Sequence, residues 1–288
     1  MTLRRALFLY NPKGGKGLSA DNVSLIKQRL SKHFAVFDFV TAASQEDFLQ
    51  RAKEASLNYD VLLLSGGDGT MHLALNAVGN EEKRPVLGLF PTGTCNDLAW
   101  NYRIHGTMNK LLDIVEQGKT SSFDVMLYNE KSFSTYAFGL GDLASIPYLT
   151  KRERKKKIGA LAYYTDAFPY FFSKKKISGY MIIDKKEKKE FHNVPFLLIL
   201  NSKRVGSFTV NPKTDLQDGK MEVLYVEKGT IPAVASFALQ SKDVKRIKCH
   251  DLLIHTDYQE NWDVDGEKGP VGDLKVRILD RFLTVLVP

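Results

Sequence analysis

The sequence Ser65-Gly66-Gly67-Asp68-Gly69-Thr70 follows the apolar run Val61–Leu64 and precedes a pattern typical of a helix over Thr70–Val78. An apolar run of this kind predicts a buried strand, because a strand covered on both faces carries apolar residues on both. Glycines after such a strand let backbone amides approach a ligand without a Cβ in the way. The stretch therefore predicts a strand, a glycine-rich loop and a helix, in that order.

The first 124 residues repeat this alternation. Further apolar runs predict buried strands at Ala6–Tyr10, Val36–Val40 and Val86–Phe90, and helical patterns cover Leu18–His33 and Gln45–Leu57. Strands that alternate with helices form a parallel sheet covered by helices on both faces. We expect an α/β domain over residues 1–124.

After Asp124 the pattern changes to strands separated by turns. Predicted strands cover Phe123–Leu127, Phe133–Phe138, Gly179–Ile183, Val194–Leu200, Met221–Val226, Leu252–Thr256 and Leu283–Val287, with helices near Gly159–Phe168 and Ile231–Leu239. Strands without intervening crossover helices are typical of antiparallel sheets. We expect a mostly antiparallel β-sandwich over residues 125–288, whose last strand can pair with the first domain.

Unusual loops follow three of the predicted parallel strands. The first strand leads into Asn11-Pro12-Lys13-Gly14-Gly15-Lys16-Gly17, the third into the stretch quoted above, and the fourth into Pro91-Thr92-Gly93-Thr94-Cys95-Asn96-Asp97. In an open parallel sheet, ligands bind where strands end and helices begin, because unpaired amides and helix dipoles face outward there. One such loop is ordinary turn chemistry, whereas three at one sheet edge favour a phosphate-binding site.

Two common phosphate-binding motifs compete with this interpretation. A P-loop is excluded, because Gly118-Lys119-Thr120 has only the tail of that motif and Asp113 stands where its first glycine belongs. Gly15-x-Gly17-x-x-Ala20 does match the dinucleotide fingerprint, with Asp38 about twenty residues further on. Asn11-Pro12-Lys13 makes that loop longer than the tight turn of the fingerprint. An oxidoreductase remains an alternative, but it leaves the other two loops without a role.

The three loops resemble those of bacterial diacylglycerol kinases, soluble lipid kinases related to sphingosine and ceramide kinases and more distantly to NAD kinases. Asn11-Pro12-x-x-Gly15 is similar to the family's first nucleotide loop, and Gly66-Gly67-Asp68-Gly69-Thr70 matches its hallmark. Pro91-x-Gly93-Thr94-x-Asn96-Asp97-Leu98-Ala99 is the more discriminating element, because it belongs to the lipid-kinase branch. Asp215–Gly219 and Asp265-Gly266-Glu267 follow in the family's order. The resemblance covers nearly the whole chain. It implies that residues 1–124 form an NAD-kinase-like α/β domain that binds the nucleotide and that residues 125–288 form a domain for the lipid substrate.

The resemblance implies an ATP- and Mg²⁺-dependent kinase that phosphorylates the hydroxyl of diacylglycerol or a similar lipid to a phosphatidate-type product. Phosphoryl transfer depends on positioning and charge neutralisation, which amides and hydroxyl groups support. Asp68 is expected to hold Mg²⁺, directly or through water, and Asp124 is similar to a second acidic contributor. The residues expected to bind the nucleotide are Asn11, Gly14, Gly15, Thr41, Gly66, Gly67, Asp68, Gly69, Thr70, Thr94, Asn96 and Asp97.

The proton acceptor is expected in Asp265-Gly266-Glu267, a predicted tight turn with two carboxylates. A lipid hydroxyl does not ionise at neutral pH, so a positioned carboxylate accepts its proton late in the transfer. We expect Asp265 to be this base, across a cleft from the loops, with Glu267 as the alternative. The resemblance also implies a structural Mg²⁺ at Asp215, Asp218 and the carbonyl of Lys220. The alternative is that this sequence forms an ordinary turn without a metal.

The net charge of +8 is concentrated in one segment. Residues 151–189, here called the basic segment, hold thirteen Lys or Arg against four Asp or Glu, with aromatic residues such as Tyr163 and Phe171 between the lysine clusters. This combination suits an anionic membrane surface, where rings lie among headgroups and lysines meet anionic lipid. The alternative is a helix whose aromatic face packs into the second domain while its lysines face water.

The composition predicts a cytoplasmic protein, and the implied lipid substrate together with the basic segment predicts peripheral association with membranes. Hydrophobic residues make up 43% and charged residues 26%, as in globular proteins, and two cysteines, Cys95 and Cys249, are too few for a disulfide framework. The longest apolar run, Val194–Leu200, is less than half of what crosses a bilayer. We expect a lipid substrate and no nucleic-acid partner, and a homodimer is compatible with the sequence.

Two further functions remain open. A kinase of a soluble metabolite such as NAD would share the hallmark loop, but neither the loop Pro91–Ala99 nor the basic segment favours it. The other is a catalytically silent nucleotide-binding module, because His72 and Leu73 stand where the family usually has Asn and Glu.

Overall fold

The computed structural model describes residues 4–141, 176–227 and 241–288. The predicted helices near Gly159–Phe168 and Ile231–Leu239 lie outside the described residues. So does most of the basic segment, of which residues 176–189 are described.

The chain forms two compact units. The first consists of Met1–Phe123 together with Arg281–Pro288, and the second of Asp124–Asp280. The chain thus leaves the first unit after Phe123 and comes back to it at Arg281.

The first unit is an α/β fold in which helices join parallel strands. Its strands are β1 (Arg5–Tyr10), β2 (Val36–Thr41), β3 (Val61–Gly66) and β4 (Val86–Pro91). Its helices are α1 (Ala20–His33), α2 (Gln45–Asn58), α3 (Asp68–Val78), α4 (Asp97–Asn101) and α5 (Met108–Gln117). The four predicted strands and the three predicted helices of this half are all present. Helices α4 and α5 had not been predicted.

The parallel strands lie in the order β2-β1-β3-β4. The step from β1 to β2 runs one way across the sheet, and the steps from β2 to β3 and from β3 to β4 run the other way. Right-handed crossovers therefore place α1 on one face and α2 and α3 on the other. Helix α5 packs beside α1, and α2 packs beside α3. The predicted fold, a parallel sheet with helices on both faces, is confirmed.

Three of the helices begin at a hydroxyl cap. The side chains of Ser19, Ser44 and Thr107 each accept a hydrogen bond from the amide three residues later, at 3.2, 3.2 and 3.4 Å. Such a cap satisfies one of the amides that a helix start leaves unpaired. Helix α3 differs, because its N-cap is Gly67 and no side chain caps it.

The second unit is built from antiparallel sheets. Its strands are β5 (Thr120–Tyr128), β6 (Ser132–Ser134), β7 (Ala137–Gly141), β8 (Ile177–Ile183), β9 (Glu187–Val194), β10 (Phe196–Leu200), β11 (Arg204–Val205), β12 (Phe208–Thr209), β13 (Met221–Tyr225), β14 (Lys245–Cys249), β15 (Asp251–Thr256), β16 (Asn261–Val264), β17 (Glu267–Val271) and β18 (Leu274–Leu286). One sheet has the order β14-β13-β10-β7-β16-β17, and β18, β15, β8 and β9 are neighbours in another. Strand β18 ends among the residues of the first unit.

Both sheets of the second unit contribute to one hydrophobic core. Phe138, Tyr225 and Trp262 come from the first sheet, and Phe191 and Ile254 from the second, and none of the five is more than 1% exposed. Two sheets that share a core in this way form a sandwich. The predicted antiparallel β-sandwich is confirmed.

Two predicted strands are each divided into two. The run Val194–Leu200 breaks at Pro195, which has no amide hydrogen to give to a sheet, so β9 ends before it and β10 begins after it. The run Phe133–Phe138 breaks at Thr135 and Tyr136, whose amides donate to a side chain instead of a neighbouring strand.

Helices α1 and α2, at 14 residues each, are the longest in the described part of the chain. A bilayer requires about 20 apolar residues in a helix. No helix among the described residues is long and apolar enough to cross a membrane.

Candidate active site

The carboxyl ends of the four parallel strands lie at one edge of the sheet. Tyr10 pairs with Thr41 on one side and with Ser65 on the other, and Gly66 pairs with Pro91. The loops that follow these strands therefore begin side by side. We call residues 11–17 loop 1, residues 65–70 loop 2 and residues 91–97 loop 3.

Backbone hydrogen bonds join loop 1 to the other two loops. The Asn11 amide donates to the Ser65 carbonyl at 3.2 Å, and the Lys16 amide donates to the Thr92 carbonyl at 2.9 Å. The Asn11 side chain donates through Nδ2 to the hydroxyl of Thr70 at 3.2 Å. The three loops thus form one platform, as their positions in the sequence predicted.

Glycines allow the loops of this platform to touch. A Cβ added to Gly93 would lie 2.5 Å from the Gly67 Cα, and one added to Gly15, whose φ is +135°, would lie 2.0 Å from the Thr92 carbonyl oxygen. A Cβ on Gly14 would lie 2.8 Å from the Thr70 hydroxyl. These glycines are required for packing between loops, in addition to any ligand that approaches their amides.

The carboxylate of Asp68 caps the helix of the neighbouring loop. Its Oδ2 accepts the amide of Asp97 at 3.2 Å, and its Oδ1 accepts the amide of Leu98 at 3.0 Å, at the start of α4. Asp97 itself is 1% exposed. Each carboxylate oxygen has two lone pairs, so Asp68 can accept these amides and still bind a metal-bound water. Its contacts fit a Mg²⁺ held through water.

The N-terminus of α3 faces this platform without a side-chain cap. Helix α3 begins at Asp68 and Gly69, so the amides of its first turn belong to loop 2. A helix start of this kind binds anions, because its amides and its dipole both favour negative charge. Thr70 is only 4% exposed and its hydroxyl accepts from Asn11, so it stabilises the platform.

Asn96 has an unusual backbone and a buried oxygen atom. Its φ and ψ of 51° and 43° are left-handed, and its Nδ2 donates to the Gly93 carbonyl at 3.0 Å. Within the described part of the chain, its buried Oδ1 has no hydrogen-bond partner. A small depression beside it is lined by Gly66, Gly67 and Asp68. A buried acceptor of this kind fits a bound water or another donor from a ligand.

Two further nucleotide candidates lie at the same edge with exposed side chains. Thr41 is the last residue of β2 and Thr94 is in the middle of loop 3. Both hydroxyl groups are accessible to a ligand at the platform.

Asp265 is buried, and its carboxylate accepts five hydrogen bonds. It is 3% exposed, and its Oδ1 accepts from the Ser134 hydroxyl at 2.8 Å and from the Tyr136 and Ala137 amides at 3.0 Å each. Its Oδ2 accepts from the amide and the hydroxyl of Thr135 at 2.7 and 3.0 Å. These contacts stabilise the ionised carboxylate and fix the start of β7.

The turn that carries Asp265 is a hairpin between β16 and β17. Asp265 and Gly266 have φ values of 54° and 86°, which are typical of a two-residue hairpin turn. Glu267 is the first residue of β17 and its side chain is exposed. The two carboxylates of the predicted turn therefore differ sharply in exposure.

Asp124 anchors the Asp215–Gly219 turn inside the second unit. It is fully buried, and its Oδ2 accepts the amide of Gly219 at 2.7 Å. Its own amide donates to the Leu216 carbonyl at 2.9 Å, and its carbonyl accepts from Asn201 at 2.8 Å.

The residues of the implied structural Mg²⁺ site have other partners. Asp215 Oδ1 accepts the Gln217 amide and Asp218 Oδ1 accepts the Lys220 amide, both at 3.1 Å. Asp218 Oδ2 lies 3.0 Å from the Lys248 ammonium, and this hydrogen bond raises the pKa of Lys248. Among the described residues, no group of three or more His, Cys, Asp or Glu is placed to hold a metal ion.

The acid of the dinucleotide fingerprint is engaged elsewhere. Asp38 is the third residue of β2, away from the edge that carries the loops, and it accepts from the Tyr59 hydroxyl at 2.6 Å. A ribose-binding acid belongs at the carboxyl end of this strand, where Thr41 stands instead. This placement does not favour the oxidoreductase alternative.

Sequence reasoning missed several residues that complete these sites. Thr92 accepts from loop 1, Ser134 and Thr135 hold Asp265, and Lys248 binds Asp218. For Ser134 and Thr135, the local signal was a Ser-Thr pair that precedes an apolar strand. Thr92 and Lys248 act through contacts between segments far apart in sequence.

A parallel sheet with glycine-rich loops and an uncapped helix start at one edge is typical of α/β proteins that bind nucleotides. Residues 5–128 match the model of the diacylglycerol kinase catalytic domain. These residues cover all three loops and end in β5. The match over these residues agrees with the resemblance of the loops to those of soluble diacylglycerol kinases.

Relatives match over nearly the whole chain. A diacylglycerol kinase of Staphylococcus saprophyticus is 28% identical over 92% of this chain and 90% of its own length. One of Staphylococcus aureus is 29% identical over 99% of this chain and 93% of its own length. A crystal structure of a diacylglycerol kinase from Bacillus anthracis, 21% identical, covers 100% of this chain and 98% of its own with a TM-score of 0.85, which shows the shared fold.

Proposed function

We propose that this protein is an ATP- and Mg²⁺-dependent lipid kinase that phosphorylates the hydroxyl of diacylglycerol or a similar lipid. The observation that carries the proposal is the platform of three loops at the start of α3. The family match over residues 5–128 supports the same activity. The product would be a phosphatidate-type lipid.

The nucleotide phosphates are proposed to bind at loops 2 and 3 and at the first turn of α3. Amides of Gly67, Asp68 and Gly69 and the exposed hydroxyl of Thr94 would contact phosphate oxygens. Loop 1 holds this platform through Asn11 and Lys16.

Asp68 is proposed to hold Mg²⁺ directly or through water, with Asp124 as a second acidic contributor. When bound, this ion neutralises charge on the phosphates and on the phosphoryl group in transfer. Asp68 also positions α4, and so its carboxylate arrives at the site already oriented by two amides.

Transfer would form one bond and break another at the γ-phosphorus. The lipid hydroxyl oxygen bonds to that phosphorus while the bond to the β,γ-bridging oxygen breaks, and ADP leaves. The hydroxyl proton passes to a carboxylate, which we propose to be Asp265, with Glu267 as the alternative. For Asp265 to accept this proton, one of its present hydrogen-bond donors must turn away. The hydroxyl groups of Ser134 and Thr135 can do so, because they rotate about their C–O bonds.

Labelled ATP in mixed micelles tests this proposal. With diacylglycerol, a sphingoid base and NAD as separate acceptors, we expect label on a lipid. Label on NAD would overturn the substrate class. No label on any acceptor would favour a silent nucleotide-binding module.

Two variants identify the proton acceptor. We expect Asp265→Asn to lower kcat by at least ~100-fold, as for the loss of a general base, and Glu267→Gln to leave most activity. Because Asp265 also holds β7, melting temperatures must be compared for both variants. Loss of activity in a stable Glu267→Gln variant would transfer the role to Glu267.

We also propose that the basic segment contacts an anionic membrane. Its described part includes the β8–β9 hairpin, where Asp184 and Lys185 have φ values of 49° and 59°, and where Lys185, Lys186 and Lys188 are exposed. Each lysine near an anionic surface contributes about 1 kcal/mol, and salt weakens this attraction.

Vesicle flotation tests the membrane contact. We expect the protein to float with phosphatidylserine vesicles at low salt and less so at high salt. Lys185→Gln with Lys186→Gln should weaken flotation, while the control pair Lys32→Gln with Lys110→Gln should not. The proposal would be contradicted if the amount of protein that floats depended neither on the salt concentration nor on the anionic lipid content.

A further inference from the structure

The turn that the family resemblance assigns to a structural metal lies beside a cross-strand ion pair. Strands β13 and β14 are antiparallel, and Glu222 of β13 stands directly opposite Lys248 of β14. Directly opposed side chains in such a pair lie within contact distance. Asp218, in the turn that leads into β13, joins them.

The Lys248 ammonium is shared between two carboxylates. It lies 3.0 Å from Asp218 Oδ2 and 3.3 Å from Glu222 Oε1. The Glu222 side chain is only 6% exposed, whereas that of Lys248 is 48% exposed. Lys248 thus reaches from the surface to a buried carboxylate, and it is the cation that neutralises both acids.

The Lys248 ammonium disfavours Mg²⁺ at this turn, because it already occupies Asp218 Oδ2 with a positive charge. The ion needs about six oxygen ligands near 2.0–2.1 Å in octahedral geometry. Of the two implied side-chain ligands, Asp218 already accepts from Lys220 and Lys248, and Asp215 accepts from Gln217. A divalent ion at Asp218 would also be repelled by the ammonium beside it.

We infer that the Lys248 ammonium is the resident cation of the Asp215–Gly219 turn and takes the place of the structural Mg²⁺ that the resemblance implies. The turn then keeps its conformation through a side chain of the chain itself. It follows that the folding of the second unit does not depend on divalent cations at this turn.

Thermal unfolding of the full chain without nucleotide tests this inference. We expect the melting temperature of the wild type to be the same in 5 mM Mg²⁺ and in EDTA. Lys248→Met should lower it by about 5 °C, because the buried carboxylate of Glu222 loses its cation and keeps only neutral partners such as Thr214. Lys245→Met is the matched control, since Lys245 lies on the same strand with its side chain on the opposite face, and it should melt like the wild type.

A double variant separates loss of the ion pair from simple loss of lysine packing. Adding Glu222→Gln to Lys248→Met should recover at least half of the lost melting temperature, because no uncompensated charge then remains buried. The inference is overturned if Mg²⁺ raises the wild-type melting temperature and Asp218→Asn abolishes that rise. It is also overturned if Lys248→Met melts like the wild type.

Discussion

At the scale of single residues, the platform depends on the close approach of two glycines. A Cβ on Gly93 would lie 2.5 Å from the Gly67 Cα, so Gly93→Ala must push loop 3 away from loop 2. Catalytic geometry is sensitive to shifts of about 1 Å, which can cost ~100-fold. We expect this variant to bind ATP at least ~10-fold more weakly in calorimetric titration.

A second glycine provides the control for this prediction. Gly118 ends α5 with a φ of 65°, and nothing lies within 4 Å of a Cβ added there. Gly118→Asn should keep normal ATP binding, because Asn tolerates the left-handed conformation. Unchanged ATP binding in Gly93→Ala would show that the contact between loops 2 and 3 is dispensable.

At the scale of elements, Tyr59 links the end of α2 to the middle of β2. Burial, together with its hydrogen bond to Asp38, raises the pKa of Tyr59 from 10.0 to about 12. Above pH 10 the unfolded chain therefore releases this proton before the folded chain does. The stability that the contact contributes is complete below pH 10 and is lost as the pH rises through about 12.

Tyr59→Phe removes this contribution. We expect it to lower the free energy of unfolding by about 1 kcal/mol at pH 8, the usual contribution of one hydrogen bond. The difference between wild type and variant should shrink between pH 10 and about pH 12 in urea unfolding. A difference that stays constant over this range would mean that the pKa of Tyr59 is the same in the folded and the unfolded chain.

The elements could be predicted where a local pattern decides them. The apolar runs located β1 to β4 within a residue or two, because buried parallel strands carry apolar side chains on both faces. Pro195 was also a local signal, and it marks the break between β9 and β10 that was not predicted. Helix α4 could not be predicted, since its start depends on the left-handed Asn96 and on Asp68 from another loop.

The candidate site was predictable in part for the same reason. The glycines of the three loops and Asp68 were visible in sequence, and the sheet brings them together. The hydrogen-bond partner of each polar side chain could not be predicted from the sequence. Five donors to Asp265 and the ammonium at Asp218 come from segments that only the folded chain brings near.

At the scale of the whole molecule, the two ends of the chain fold into the same unit. Residues 281–288 join the first unit, where Val285 of β18 pairs with Leu87 of β4, the strand that carries loop 3. Leu283, Val285 and Leu286 are at most 2% exposed. Burial of each such side chain contributes about 1.5–3 kcal/mol, and a domain is stable by only about 5–15 kcal/mol in total.

A chain that ends at Asp280 should therefore lose most of the stability of the first unit while it keeps the sandwich strands of the second. We expect limited proteolysis to cleave the first unit of this chain rapidly and ATP binding to be lost. A chain without Pro288 alone is the control, because that residue is exposed and its hydrogen bond from the Lys119 ammonium, at 2.7 Å, lies at the surface. The opposite result, in which the chain that ends at Asp280 resists protease and binds ATP like the full chain, would show that β4 and loop 3 are stable without residues 281–288. The parallel sheet alone would then support the three loops.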